Sequence, residues 1–262
     1  MSIDYDAWAQ TYDDSRGASP SVLNPIREAL GEPTGRSLLD IGGGTGNFAL
    51  PLSQAGFRVT LADYSPAMVR QARRKLPDID FVVMDGSRLP FEDGSFDCAV
   101  SVNVLGHIAE WRLALKEARR VLRGGPLVLK VSTRETVTAN WVMNYFPALL
   151  DAAPLHHYQP ASETVAALRD AGFADVQTRV VHYTDTIDGS FQALKHDPRA
   201  FLENEDAVMN TAVLKRVPER ERREALDTIR RDYASGRLRE IMARFEPLVA
   251  EYGDGFVFVA RP

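Results

Sequence analysis

From Leu38 to Asn47 the chain reads Leu-Leu-Asp-Ile-Gly-Gly-Gly-Thr-Gly-Asn, a short apolar run that meets an acid and then glycines at 42, 43, 44 and 46. An apolar run bounded by glycines reads as a buried strand that ends and turns. Glycine lets the backbone turn sharply and lets a ligand approach the main chain with no Cβ in the way. The residues from Asn47 to Gln54 are suited to open a helix whose first amides face that ligand. A nucleotide-like cofactor at a strand-to-helix turn is the reading this run supports. An ordinary tight turn fits less well, because so many glycines together weaken a scaffold.

Spacing narrows the choice of nucleotide. The dinucleotide fingerprint requires a third glycine where Asn47 stands, and a phosphate loop requires a Gly-Lys-Ser/Thr that is missing here. Two further strands end in acids. Phe57 to Asp63 alternates and ends 21 positions after Gly42, where an acid can accept from both ribose hydroxyls. That feature suits nicotinamide and S-adenosylmethionine cofactors alike. Asp80 to Asp85 is a third strand ending in an acid, followed by Gly86-Ser87-Arg88-Leu89-Pro90-Phe91 and then Asp93-Gly94-Ser95-Phe96-Asp97.

The string from Asp40 to Gly46 resembles motif I of class I S-adenosylmethionine-dependent methyltransferases. The segment opened by Asp85 is similar to the one with which small-molecule members bind adenine, the acid accepting from its amino group. The resemblance implies cofactor contacts from Asp40, Gly42, Gly43, Gly44, Gly46, Asp63, Tyr64, Met68, Asp85, Gly86 and Ser87. It is to the group containing ubiquinone, menaquinone and natural-product methyltransferases. Tyr5-Asp6-x-Trp8-Ala9-x-x-Tyr12-Asp13 looks like that group's N-terminal signature, whose second tyrosine, here Tyr12, folds over the cofactor. An aromatic face beside a sulfonium is favourable; Tyr5 and Trp8 equally suit a hydrophobic staple holding the arm. At the end of the fourth strand, Ser101 and Asn103 are expected to meet the amino-acid part of the cofactor. His107 matches the second histidine of a Val-Leu-His-His-Leu pattern whose first is replaced by Gly106. It is either a general base, with an ordinary pKa near ~6.5, or a residue that only starts a helix.

Strands and helices alternate: Ser37–Ile41, helix to Ala55; Arg58–Ala62, helix Pro66–Lys75; Phe81–Met84; Cys98–Val102, helix Trp111–Leu122; Leu127–Val131; helix Ala161–Ala171; Val176–Ile187. Such alternation predicts an α/β fold with a parallel sheet covered on both faces. The resemblance implies a Rossmann-like sheet of order 3-2-1-4-5-7-6, with the last strand, Gly255–Ala260, antiparallel. One domain is expected, with its core at about 37–187 and 253–262, preceded by a helical arm at 1–36 that includes Tyr5 to Leu30. About 188–252 is a helical insertion, read either as a substrate cap or as a buttress of the sheet edge. Trp141, Tyr145 and Phe146, in the segment after the fifth strand, offer an apolar wall for a substrate or a face packed on the core. His156 and His157 are further candidate bases, while His182 and His196 read as structural.

Composition limits the alternatives. The net charge of −5 weighs against nucleic-acid substrates, and no run of 18 apolar residues spans a membrane. The opening Met1 to Asp6 lacks a basic-then-apolar leader pattern. The lone Cys98 sits in an apolar strand and points to a reducing cytoplasm. No Cys/His cluster has metal spacing. The expectation is an S-adenosylmethionine-dependent methyltransferase acting by in-line displacement on oxygen or nitrogen of a small molecule, a specialised metabolite, as monomer or homodimer. Its alternatives are carbon methylation of a quinone or lipid precursor, a non-catalytic cofactor-binding protein, and a nicotinamide oxidoreductase, which Asn47 and Asp85 disfavour.

Overall fold

A computed structural model describes residues 4–14, 16–150, 158–185, 191–209, 211 and 214–262. Leu38, Leu39 and Ile41 bury both faces of the first strand, β1 (Ser37–Ile41), as a central parallel strand must. Around it stand β2 (Arg58–Asp63), β3 (Asp80–Val83), β4 (Cys98–Val102), β5 (Leu127–Val131), β6 (Asp175–Val181) and β7 (Gly255–Arg261). The seven strands lie in the order 3-2-1-4-5-7-6, as the resemblance implied, and β7 runs antiparallel to both neighbours.

Before β1 come α1 (Tyr5–Trp8) and α2 (Pro20–Leu30). Then α3 (Ala49–Gln54), α4 (Pro66–Lys75) and α5 (Trp111–Val121) connect the parallel strands. After β5 follow α6 (Arg134–Thr138), α7 (Pro147–Leu150) and α8 (Ala161–Asp170). After β6 follow α9 (Phe191–Leu194), α10 (Pro198–Glu203), α11 (Glu205–Met209), α12 (Glu219–Ser235) and α13 (Arg237–Tyr252). Alternate residues of each strand feed different cores. Leu38, Cys98 and Val128 pack under α2, α3 and α4, while Leu39, Ala99 and Leu129 pack under α5 and α8.

Local chemistry sets several boundaries. Ser65 caps α4 by accepting from the Met68 amide at 3.1 Å, with Pro66 in the first turn. The expected arm helix is broken: α1 ends at Trp8, Ser19 is held extended by the proline that follows it, and a second helix runs from Pro20. The expected strand to Ile187 stops at Val181, because the Asp254 amide takes the Val181 carbonyl and the Asp254 carboxylate takes the Tyr183 amide. There the chain leaves the sheet for the helical insertion. Helix α12 closes at Gly236 in the left-handed conformation that glycine tolerates. Leu226 and Ile229 face inward as their spacing requires, whereas Tyr233 is exposed. The insertion shares a separate core with the segment after β5, in which Trp141, Phe146, Phe201 and Ile241 are buried together. Among the described residues no helix is long and apolar enough to cross a membrane.

Candidate cofactor and acceptor site

The parallel register places Ile41 beside Ala62, and Val83 beside Asp63. The loops after β1 to β4 therefore gather on one edge, at the carboxyl ends of the strands, where open α/β sheets bind ligands. The glycine turn lines the middle of that edge. A Cβ on Gly42, whose φ is +73°, would lie 2.4 Å from the Val104 side chain, so only glycine lets β1 turn against the segment after β4. Gly44 differs: a Cβ there would meet nothing within 4 Å, and its amide donates to Asp63 Oδ2 at 2.8 Å. Asp63 Oδ1 accepts from the Ser65 amide at 2.9 Å. Burial still holds this carboxyl above its usual range, against the lowering effect of those two amides.

Beneath the turn, Asp40 is 1% exposed and its Oδ2 has no hydrogen-bond partner. Burial, then the charge on Asp63, raise its pKa to about 7. Two carboxyls stacked under a glycine turn make a site that favours cations. At the end of β3, exposed Asp85 accepts from both the Ser87 amide and hydroxyl, each at 2.8 Å. The edge thus combines an unsatisfied buried acid, open space over Gly44, and two acids spaced along the strand ends. A nucleoside carrying a cationic chain fits those groups.

An aromatic arm lies over this edge. Asp6 accepts from the Ser65 hydroxyl at 2.5 Å and the Ala67 amide at 3.1 Å. Asp13 accepts from the Thr45 hydroxyl at 2.5 Å and from Lys75 at 2.8 Å. So fastened, Tyr5 brings its hydroxyl 3.2 Å from His107 Nε2, and Tyr12 packs edge-on to Trp8. Burial raises the Tyr5 phenol pKa, with Tyr12 and Tyr158 adding to the effect.

Residues 39–129 match the family model described as a methyltransferase domain. A demethylmenaquinone methyltransferase of Paenarthrobacter aurescens is 34% identical over 129 residues, 49% of this chain and only 51% of that one. Its counterpart from Renibacterium salmoninarum is 31% identical over 173 residues, 59% of this chain and 73% of that protein. The chain belongs to the class I S-adenosylmethionine-dependent methyltransferases. In fold, this methyltransferase resembles a putative methyltransferase from an antibiotic biosynthesis pathway of Anabaena variabilis. The TM-score is 0.78 at 21% identity, covering 94% and 98% of the two chains. S-adenosylmethionine is the cofactor of the family.

Placement of the expected site residues is uneven across the methyltransferase. Gly42, Gly43, Gly44, Asp63, Tyr64, Asp85, Ser87 and Asn103 share the open edge, Tyr64 being 77% exposed. Others lie off that open edge. Met68 is 1% exposed and packs with Ala9 and Ala67 under the arm, because α4 turns it inward. Ser101 is buried and donates its hydroxyl to the Ile41 carbonyl at 2.8 Å, bracing β4 on β1. Asp40 and Gly46 lie below the turn rather than along it; a Cβ on Gly46 would meet Leu76 at 2.7 Å. Gly86 is buried against Ile108.

Farther out, Tyr145 and Phe146 line a cavity of about 680 Å³ walled by Val217, Ala225, Asp232 and Ile241. Tyr145 donates to Asp232 at 2.8 Å. Trp141 does not line this cavity; it is 3% exposed and its indole donates to the Lys195 carbonyl at 2.7 Å. His156 and His157 lie outside the described residues. His196 pairs with buried Asp254 at 2.8 Å, in keeping with a structural reading. The sequence reading passed over Asp6 and Asp13 as functional, although both accompany the aromatics of the N-terminal signature.

Proposed function

We propose that this methyltransferase transfers a methyl group to an oxygen or nitrogen of a small, largely apolar metabolite seated between the glycine turn and the helical insertion, which acts as its cap. The observation that carries the proposal is the exposed His107, just after β4, with Tyr5 of the arm hydrogen-bonded to its Nε2. S-adenosylmethionine, when bound, supplies a methyl group activated by a sulfonium. Asp63 accepts from the ribose hydroxyls and Asp85 from the adenine amino group. Asp6 and Asp13 hold the arm so that Tyr5, Trp8 and Tyr12 exclude water and turn aromatic faces towards positive charge. His107 Nε2 takes the proton of a hydroxyl acceptor that displaces the Tyr5 hydroxyl from it, a role worth about 10²–10⁴-fold in rate. Tyr145 and Phe146 flank the acceptor's apolar body. Lys215 of the insertion lies 4.8 Å over the Trp8 ring, so cap and arm meet close to where the cavity wall begins at Val217.

Similarity to the two demethylmenaquinone methyltransferases favours a second reading, carbon methylation of a quinone precursor. The acceptor side of this chain is built largely by the insertion, beyond the residues the family model matches, and for that reason the first reading stands ahead. Isotope-labelled S-adenosylmethionine with a panel of phenols, amines and a demethylated quinone separates the two, the product being located by mass spectrometry. His107→Ala should lower turnover on a hydroxyl acceptor about 10²-fold with cofactor affinity kept. Label on a ring carbon would overturn the proposal, and a His107→Ala rate on a hydroxyl acceptor within a few-fold of the parent would overturn the role given to His107.

A further inference from the structure

The edge runs from Asp85 after β3, past Asp63 at the end of β2 and the glycine turn after β1, to Asn103 after β4. A nucleoside whose base and ribose meet Asp85 and Asp63 therefore extends its tail towards Asn103. Asn103 is exposed, with a left-handed φ of 57°, and the next residue, Val104, packs against Gly42. Directly behind it stands Lys130 of β5, 1% exposed. The two residues are tied twice. The Asn103 amide donates to the Lys130 carbonyl at 2.8 Å, and Lys130 Nζ donates to Asn103 Oδ1 at 3.1 Å.

The lysine is itself held in place. Its ammonium lies 5.4 Å from the centre of the Tyr183 ring. A Cβ at Gly255 would come within 2.8 Å of its Cε and 3.0 Å of its Nζ, so the missing side chain makes the room it occupies. Burying an ammonium is costly where an apolar residue would pack as well. Its effect on Asn103 is specific. An ammonium has only donors, so the asparagine must present its oxygen to the lysine, and both amide hydrogens are left on the other side.

We propose that Lys130 is a positioning residue: it locks the Asn103 amide so that donors face the cofactor site and recognise the carboxylate of the cofactor's amino-acid tail. This inference rests on the reading of the edge as the S-adenosylmethionine site. It makes Asn103 a selector for the carboxylate, with a buried positive charge one amide away reinforcing the preference.

The test is calorimetric titration of the full chain with S-adenosylmethionine and with its decarboxylated analogue. The parent should bind the carboxylate form about 10- to 100-fold more tightly, as expected for hydrogen bonds to a charged group. Asn103→Asp keeps an acceptor for Lys130 but offers only acceptors to the site. It should abolish that preference while affinity for the decarboxylated analogue stays within a few-fold. Lys130→Gln and Gly255→Ala should lower the preference in the same selective way, and Lys130→Arg should restore part of it. Should Lys130→Gln fail to fold, Asn103→Asp and Gly255→Ala decide. Equal weakening of both compounds, or an unchanged preference in Asn103→Asp, would overturn the inference. A folded parent that bound neither compound would overturn the cofactor reading itself.

Discussion

Replacing Asp40 with asparagine should flatten the pH dependence of stability. The buried carboxyl has its pKa raised from 3.8 to about 7. A carboxyl harder to ionise in the fold than in the unfolded chain opposes folding once ionised. Its penalty is absent below the unfolded value, grows as pH rises, and is complete above about 7. The gap corresponds to roughly 4 kcal/mol at pH 8, of which about 1.5 kcal/mol is already present at pH 5. Asparagine carries no such dependence, whatever its fixed cost in packing. Urea unfolding of both proteins at pH 5, 6, 7 and 8 should therefore show the parent losing about 2.5 kcal/mol relative to Asp40→Asn across that range. Because Asp63 raises the Asp40 pKa, the difference reports the pair. Parallel profiles, within about 0.5 kcal/mol at every pH, would refute the idea that Asp40 is held neutral by burial. A cationic cofactor should reverse the effect: binding near pH 7 should release protons in the parent and few in the variant, as read by calorimetry in buffers of different ionisation enthalpy.

Other expectations follow from the same edge. Asp63→Ala should weaken S-adenosylmethionine binding by about 1–3 kcal/mol through loss of acceptors for the ribose, measured by titration of the folded variant. Gly42→Ala should lose more than Gly44→Ala in thermal stability, since only the former drives a Cβ into Val104 and both share a positive φ. Asp13→Ala should leave the sheet intact yet loosen the arm from Thr45 and Lys75, seen as faster proteolysis near the N-terminus and weaker cofactor binding.

What the sequence disclosed depended on whether the signal was local. Strand ends marked by Asp40, Asp63 and Asp85 were legible because period, glycine and acid coincide within a few residues. The inward turn of Met68 was not, because a helix residue beside a site motif carries no mark of the face it occupies until the arm packs against it. The contact of Ser101 was hidden for a related reason: alternation along a strand assigns a side chain to a face of the sheet but not to a partner, and its hydroxyl found the Ile41 carbonyl. The Lys130–Asn103 pair joins residues on separate strands, and nothing in either stretch of sequence signals the other. Trp141 suited either a substrate wall or a core face, and it took a core shared with the insertion, since an apolar run does not say which surface it serves.

The insertion leaves the sheet after Val181 and returns at Gly255, and those two residues face each other in the β6–β7 register. Its ends are thus about one strand spacing apart, ~4.8 Å, whatever happens between them. Closing a longer or shorter segment across such a gap changes the entropy only logarithmically, about 0.6 kcal/mol per doubling of length. A lineage could exchange or enlarge this whole segment while every strand and every residue of the glycine turn stayed as it is. The fold is in that sense a socket, in which the segment proposed to meet the acceptor is free to diversify on a strand framework that is not.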